Sequence, residues 1–216
     1  MANRDIGSID VPATSQDLMT LDECKTLLNV SAADTSRDAQ LQMQISIASA
    51  ICADIVFRRL DDEPTGIGFG LQTLHEEWRE IGNGRLFLLQ WPVKQIIDLT
   101  VGGTLLASGD YRLEKRSGKV SVDGQWGEPA IVHYTAGYQL PEGAPLALKQ
   151  ACMVMVQEQR IRNQQAQTAG IRLLSHKESR VAFFDPNAIL LKSISAKSPG
   201  MQAAEALLLP WMRLEV

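Results

Sequence analysis

The sequence predicts an α+β fold: a helical bundle that carries a small antiparallel β insert and is followed by an extended C-terminal arm. Three observations lead to this prediction. Two amphipathic segments stand near the N-terminus, short β-branched runs separated by tight turns fill the middle, and a third amphipathic segment begins at Pro145. Helical periodicity on both sides of a strand-rich region is typical of a bundle interrupted by an insert.

The first 19 residues are polar, contain Pro12 and lack periodicity, which predicts a flexible N-terminal arm. Thr20–Glu23 then matches a capping box, in which a Thr hydroxyl and a Glu carboxylate each satisfy a free backbone N–H at a helix start. The sequence therefore predicts a short helix over residues 21–29.

A second and longer helix is predicted over residues 36–60. Its start signal is Asp34–Ser36, and Arg58–Arg59 suit a helix C-terminus. The helical spacing is carried by Leu41, Ile45, Ala48, Ile51, Cys52, Ile55 and Val56. Residues 61–70 contain one proline and three glycines and are predicted to form a flexible loop.

The β insert is predicted over residues 71–136. Three glycine-containing turn signals, at Gly82–Gly84, Gly102–Gly103 and Ser117–Gly118, each separate two strand-like runs and predict three hairpins. Short strands joined by tight turns favour a compact, mostly antiparallel sheet.

A third helix is predicted over residues 145–163 because Pro145 suits a first helical position. Leu146, Lys149, Cys152 or Met153, and Val156 repeat at spacings of three and four, which predicts one face of a helix that is mainly apolar. This helix closes a predicted body over residues 20–163. Residues 164–216 hold too few apolar residues for a core of their own, yet they end in an apolar cluster. We therefore expect an extended arm whose end docks on the chain's own surface or on a neighbour.

The formal net charge is −4, but the charge is unevenly distributed. Residues 1–144 carry 12 basic against 20 acidic side chains, whereas residues 145–216 carry 9 against 5. The three cysteines lack metal-site spacing, which favours a reducing compartment. The first 20 residues have no apolar core of a signal peptide, and no apolar run nears the roughly 20 residues that span a bilayer. We expect no membrane partner.

Catalytic motifs are not apparent in this sequence. His75, His133 and His176 are widely separated, and Arg79 stands where a zincin motif requires its second histidine. The glycines of residues 66–70 lack the Gly-Lys-Ser/Thr ending of a phosphate loop. The sequence therefore predicts no catalytic residue, no cofactor and no metal ligand, and we expect that the protein is not an enzyme.

Six segments, in this order along the chain, resemble the head-to-tail connector (adaptor) proteins of long-tailed double-stranded DNA phages and of related gene-transfer particles. They are Thr20–Val30, Phe57–Arg59, Leu88–Val93, Asp110–Leu113, Tyr134–Tyr138 and Leu148–Ala151. The ending Leu207–Leu214 is similar to the Leu-Leu-x-Pro-Tyr-Arg-Arg-Leu type of these proteins, with Trp211 in place of Tyr and Met212 in place of the first Arg.

The resemblance implies a structural virion protein at the neck, assembled in the host cytoplasm. It implies a homo-oligomeric ring of twelve copies beneath the portal protein, with DNA passing through its channel and a tailward neck or tail-completion protein on its other side. It also suggests a docking segment for the portal or a neighbouring subunit, formed by Leu207, Leu208, Leu209, Trp211, Met212 and Arg213.

Basic contacts from the arm are expected at Arg172, Lys177 and Arg180. The alternative function is a DNA-binding packaging or neck completion factor that uses these three residues together with Arg160 and Arg162. A small hydrolase is a remote alternative, because no nucleophile stands with a base.

Overall fold

The structure is a computed structural model that describes residues 3–56, 67–81, 85–122, 126–168, 173–176, 179–182 and 198–212. Its helices and its sheets each surround a separate cluster of buried apolar side chains. The described residues thus form two cores, one helical and one between sheets.

Within the described residues, the helical layer contains four helices. They are α1 (Leu21–Leu27), α2 (Asp38–Ile55), α3 (Leu146–Thr168) and α4 (Pro199–Leu208), and a short 3₁₀ turn, Leu209–Trp211, follows α4. Their shared core includes Leu18, Ile45, Cys52, Leu148, Val156, Ala204 and Leu208. Because these residues span nearly the whole chain, the helical layer depends on contacts between segments that are distant in sequence.

The predicted capping box is confirmed at the start of α1. Thr20 Oγ1 accepts a hydrogen bond from the Glu23 N–H at 3.1 Å, and Glu23 Oε2 accepts one from the Thr20 N–H at 2.9 Å. The other carboxylate oxygen of Glu23 binds Lys149 of α3. One side chain therefore both caps α1 and ties it to α3.

Two antiparallel sheets make up most of the β structure. The strands are β1 (Asn3–Val11), β2 (Gln72–Glu80), β3 (Arg85–Phe87), β4 (Val93–Val101), β5 (Thr104–Leu105), β6 (Tyr111–Glu114), β7 (Lys119–Val122) and β8 (Ala130–Ala136). The larger sheet has the order β1-β2-β8-β4-β5 and the smaller one β3-β7-β6. A further pair, β9 (Leu173–His176) and β10 (Ser179–Ala182), forms a separate antiparallel ribbon.

The α+β class holds, but the predicted helical bundle with a small β insert is wrong. Alternate side chains of β2 and β8, among them Leu74, Val132 and Tyr134, are fully buried, and they cluster with Leu86 and Val120 of the smaller sheet. Two sheets that bury one face each form a core without the helices. The β structure is therefore a second layer of the fold.

The N-terminal segment also differs from the expectation of a flexible arm. Asn3–Val11 form β1 and pair antiparallel with β2, with Ser8 opposite His75 and Val11 opposite Thr73. Among the side chains of this strand that the structure describes, residues 7–11, Ile9 packs half-buried against the sheet core. Backbone pairing with β2 holds β1 in place. Its sequence therefore does not need the apolar alternation that predicts strands, and it shows little of it.

The C-terminal segment is not simply extended. Residues 199–208 form α4, where Ser198 Oγ accepts a hydrogen bond from the Met201 N–H and Pro199 occupies the first turn. Ala204 and Leu208 of α4 are fully buried in the helical core. The few apolar residues of this region thus complete a core to which the other helices also contribute side chains.

Two of the three predicted hairpins are confirmed, at Gly102–Gly103 between β4 and β5 and at Ser117–Gly118 between β6 and β7. The hairpin predicted at Gly82–Gly84 is wrong. Residues 82–84 lie outside the described residues, but β2 pairs with β1 and β8, whereas β3 pairs with β7. The chain therefore passes from one sheet to the other at this point.

A buried crossing of two backbone segments joins the sheets to the helices. Gly137, just after β8, has φ +106, and a Cβ there would lie 2.2 Å from the Gly70 carbonyl oxygen. Tyr138 N–H donates to Phe69 O, and Leu71 N–H donates to Tyr138 O. Residues 67–70 are buried, so this part of the predicted 61–70 loop is packed, while residues 57–66 lie outside the described part of the chain.

A buried carboxylate connects β2 and β8 to the turn after β3. Tyr134 donates its hydroxyl hydrogen to Glu76, and Glu76 Oε1 also accepts the Leu89 N–H at 2.8 Å. Tyr134 Oη in turn accepts the Gln90 N–H at 3.2 Å. Since buried charges require such partners, this network fixes the turn against the larger sheet.

Candidate assembly surfaces

The predicted docking segment packs largely against its own chain. Leu208 is fully buried, and Leu207, Trp211 and Met212 are half-buried against the helical core. Of the five docking residues that the structure describes, only Leu209 is well exposed, at 60% of its surface. Arg213 lies outside the described residues.

Close packing fixes this C-terminal segment at both ends. A Cβ at Gly200 would lie 2.6 Å from Glu158 Oε2, so α4 starts in close contact with α3. After α4, Trp211 Nε1–H donates to Tyr138 Oη at 2.9 Å. The segment is therefore held in place, and its exposed residues Leu209 and Pro210 form a surface that another molecule could contact.

The basic residues do not form one patch within the described part of the chain. Arg160 is half-buried, and Arg162 pairs with Glu158 one helical turn earlier, at 3.1 Å. Arg172 and Lys177 lie outside the described residues, and Arg180 is placed in β10 by its backbone alone. Arg162 thus has its charge partly neutralised within α3.

The exposed side of α2 is more apolar than its sequence periodicity suggests. Met43 is 65% exposed and Ile47 is 41% exposed, and these residues lie one turn apart. Ala50 is exposed on the same side, opposite the buried Ile45 and Cys52. We call Met43, Ile47 and Ala50 the α2 outer stripe. Exposed apolar residues in a contiguous row are typical of protein–protein contacts.

The three cysteines are free and buried in the helical core, and α1, α2 and α3 each contribute one of them. Burial raises the pKa of the Cys24 and Cys52 thiols, and it raises that of Cys152 to about 12 despite a hydrogen bond with the Ser49 hydroxyl. Since a thiolate is the reactive form of cysteine, these residues are unsuited to nucleophilic catalysis.

Two of the histidines that are distant in sequence meet in the larger sheet. His75 of β2 stands directly opposite His133 of β8, with ring centroids 4.2 Å apart. Asp10 of β1 reaches the same place, with its Oδ2 3.6 Å from His133 Nδ1. These three residues are far apart in the sequence and look isolated there. The pairing of β1, β2 and β8 brings them together in the fold.

Neither a protein-family model nor a curated protein matches the chain. Among solved structures, the fold is similar to a chain of the neck of an empty gene transfer agent (GTA) particle computed with C6 symmetry. The TM-score is 0.58 with 16% identity, over 98% of this chain and 97% of that one. A chain from the virion of a native GTA particle is similar at TM-score 0.58 and 15% identity, with the same coverage.

These similarities show a shared fold over nearly the full length of both chains. Among the residues that the structure describes, no helix is long and apolar enough to span a membrane.

Proposed function

We propose that this chain is a structural neck protein of a phage-like particle, a head-to-tail adaptor that forms a ring under the portal and extends the DNA channel towards the tail. The observation that carries the proposal is the match in fold to GTA neck and virion chains over 98% of this chain and 97% of theirs. Because no large segment of either chain lies outside the match, the match favours a common structural role for these chains.

Ring assembly is supported by the C6 symmetry of the neck to which one similar chain belongs. A closed ring requires two different surfaces on each subunit that fit each other. The α2 outer stripe and the exposed Leu209 supply apolar surface on the helical layer, and we assign them to subunit or portal contacts. The twelve copies implied by the sequence resemblance are part of this proposal.

The charge distribution fits a channel through which DNA moves. Residues 1–144 carry 12 basic against 20 acidic side chains, and an acidic wall does not bind phosphates as a basic one does. The proposal therefore includes no sequence-specific DNA binding, and no enzymatic activity. It places the protein in the neck of the particle, between the portal and a tailward neck or tail-completion protein.

The test is assembly of the purified full chain with the portal protein of the same particle, followed by light scattering and negative-stain microscopy. We expect rings on the portal for the unmodified chain. Met43→Asp and Ile47→Asp place a charge in the α2 outer stripe and should reduce ring formation. A chain that stays monomeric at high concentration in the presence of the portal contradicts the proposal.

Leu105→Asp is the matched control, because Leu105 is 67% exposed but lies in β5, at the edge of the larger sheet. It should leave assembly unchanged if the helical layer forms the contacts. An equal loss of assembly in Leu105→Asp would contradict the assignment of the α2 outer stripe.

Duplex DNA binding distinguishes the adaptor from a DNA-binding neck factor. A factor that uses Arg160 and Arg162 requires an affinity that falls steeply as salt rises. We expect no measurable binding of a short duplex by fluorescence anisotropy at low salt. Salt-sensitive binding that is lost in Arg160→Gln would favour the DNA-binding function.

A further inference from the structure

The open face of the larger sheet carries three metal-binding side chains at one point. Asp10, His75 and His133 come from the neighbouring strands β1, β2 and β8, and one ligand atom of each lies within 4.8 Å of the other two. His75 and His133 occupy directly opposite positions, and Asp10 lies two residues after Ser8, which is opposite His75, at an irregularity in the pairing of β1 with β2. Strand register therefore determines the cluster.

We propose that Asp10, His75 and His133 bind a divalent transition-metal ion of the zinc type. Two imidazole nitrogens and one carboxylate oxygen suit Zn²⁺, Co²⁺ or Ni²⁺, whereas Mg²⁺ and Ca²⁺ prefer oxygen ligands alone. Three protein ligands leave at least one coordination position for water or for a group from another molecule.

The distances are compatible with one shared ion. Ligand atoms lie about 2.0–2.2 Å from Zn²⁺, so two ligands of a tetrahedral site are about 3.3–3.5 Å apart. Asp10 Oδ2 and His133 Nδ1 are already 3.6 Å apart. The third ligand is His75, which has a ligand atom within 4.8 Å of the other two. Because all three side chains are at least partly exposed, small rotations can shorten these distances to those of a shared ion.

The surroundings of the three ligands favour metal binding. Ser8 Oγ donates to Asp10 Oδ1 at 3.4 Å, which leaves Oδ2 directed towards His133. Hydrogen bonds of this kind orient metal-binding carboxylates. The His133 and Asp10 side chains are 33% and 37% exposed, so an ion can enter from solvent.

The site would tie the edge of the sheet to its centre. β1 is an edge strand held by its pairing with β2, and a bound ion would connect it directly to β8 as well. An ion that binds the folded chain stabilises it in proportion to the logarithm of its concentration. The proposal is independent of the neck function, because it concerns one subunit.

The test is Zn²⁺ binding to the full chain after chelator treatment, measured by isothermal titration calorimetry, with Co²⁺ absorption as a second readout. We expect one ion per chain and a ligand-field spectrum of a site that contains nitrogen. Asp10→Asn, His75→Asn and His133→Asn should each weaken Zn²⁺ binding by about tenfold or more.

Two matched controls should bind Zn²⁺ as the unmodified chain does. His176→Asn removes the third imidazole, which belongs to β9 outside the larger sheet, and Glu77→Gln removes a carboxylate from β2. No binding at millimolar Zn²⁺, or binding that survives both histidine substitutions in the sheet, overturns the proposal. Circular dichroism of each variant checks that lost binding does not come from unfolding.

Discussion

Trp211 donates its indole N–H to the hydroxyl of Tyr138 at 2.9 Å, which links the end of the C-terminal helix to the segment that leaves the larger sheet. The two residues are 73 positions apart. This contact shows that Trp211 packs against its own chain, next to the exposed Leu209.

Trp211→Phe keeps most of the ring and removes the hydrogen bond, so we expect a loss of about 1 kcal/mol in the free energy of unfolding. Tyr138→Phe should cost about the same, and the double variant little more than either, in urea titrations. Fully additive losses would contradict a direct interaction between the two side chains.

Gly137→Ala should destabilise the fold far more than Gly103→Ala. Both glycines have positive φ, but a Cβ at Gly137 would lie 2.2 Å from the Gly70 carbonyl oxygen, whereas Gly103 has open space around it. We expect about 1–2 kcal/mol for Gly103→Ala from backbone strain alone, and a loss of stable folding for Gly137→Ala. The measurement is thermal unfolding followed by circular dichroism; similar losses in both variants would contradict the steric argument.

The Glu23 carboxylate should stabilise the fold only when it is charged. Burial raises its pKa, but hydrogen bonds from Lys149 and from the Thr20 N–H, together with the positive charge of Lys149, outweigh burial and hold the pKa below its usual value. A lowered pKa in the folded state means that this stability is present above the unfolded pKa, about 4.3, and is lost as pH falls through the folded pKa.

Glu23→Gln should therefore lower the free energy of unfolding by about 0.5–1 kcal/mol at pH 7, since the carboxylate is partly exposed and screened. The difference should vanish at low pH. Asp22→Asn is the control, because it removes an exposed charge from the same first turn. Equal pH profiles for the two variants would contradict the role of Lys149.

The buried thiols should make the fold sensitive to alkali. Burial raises the pKa of Cys152 to about 12, so the folded chain keeps this thiol neutral where an unfolded chain, with a thiol pKa of about 8.5, ionises it. Stability is complete below the unfolded pKa and falls as pH rises above it, by up to about 1.4 kcal/mol per pH unit for each such thiol.

Cys152→Ala removes one ionising group, and its free energy of unfolding should fall less steeply between pH 9 and pH 11. Native-state labelling with a thiol reagent gives a second measurement, in which the unmodified chain should react only as fast as it opens. Rapid labelling of all three cysteines at neutral pH would contradict their burial.

Local signals in the sequence predict local structure well. Thr20 and Glu23 form the capping box because both partners lie within one helical turn, and Gly102–Gly103 forms its hairpin because both strands adjoin the turn. The resemblance to connector proteins, which six short segments carry in the sequence, likewise agrees with the fold similarity to GTA neck and virion chains.

Nonlocal pairing is what the sequence does not reveal. Gly82–Gly84 looks like a hairpin turn, yet the flanking strands pair with β8 and β7, which come later in the chain. Likewise, His75 and His133 meet only because β2 pairs with β8 in one register, and no local pattern at either residue predicts that register.

The positions of the core residues along the sequence also limit the order in which the two layers can fold. Its buried residues extend from Leu18 to Leu208, whereas those of the sheet core lie between Ile67 and Ala136. Because a nascent chain emerges N-terminus first, the sheets can close during synthesis, while the helical layer must wait for its last segment. Until α4 has emerged and packed, the unfinished helical layer leaves apolar surface exposed.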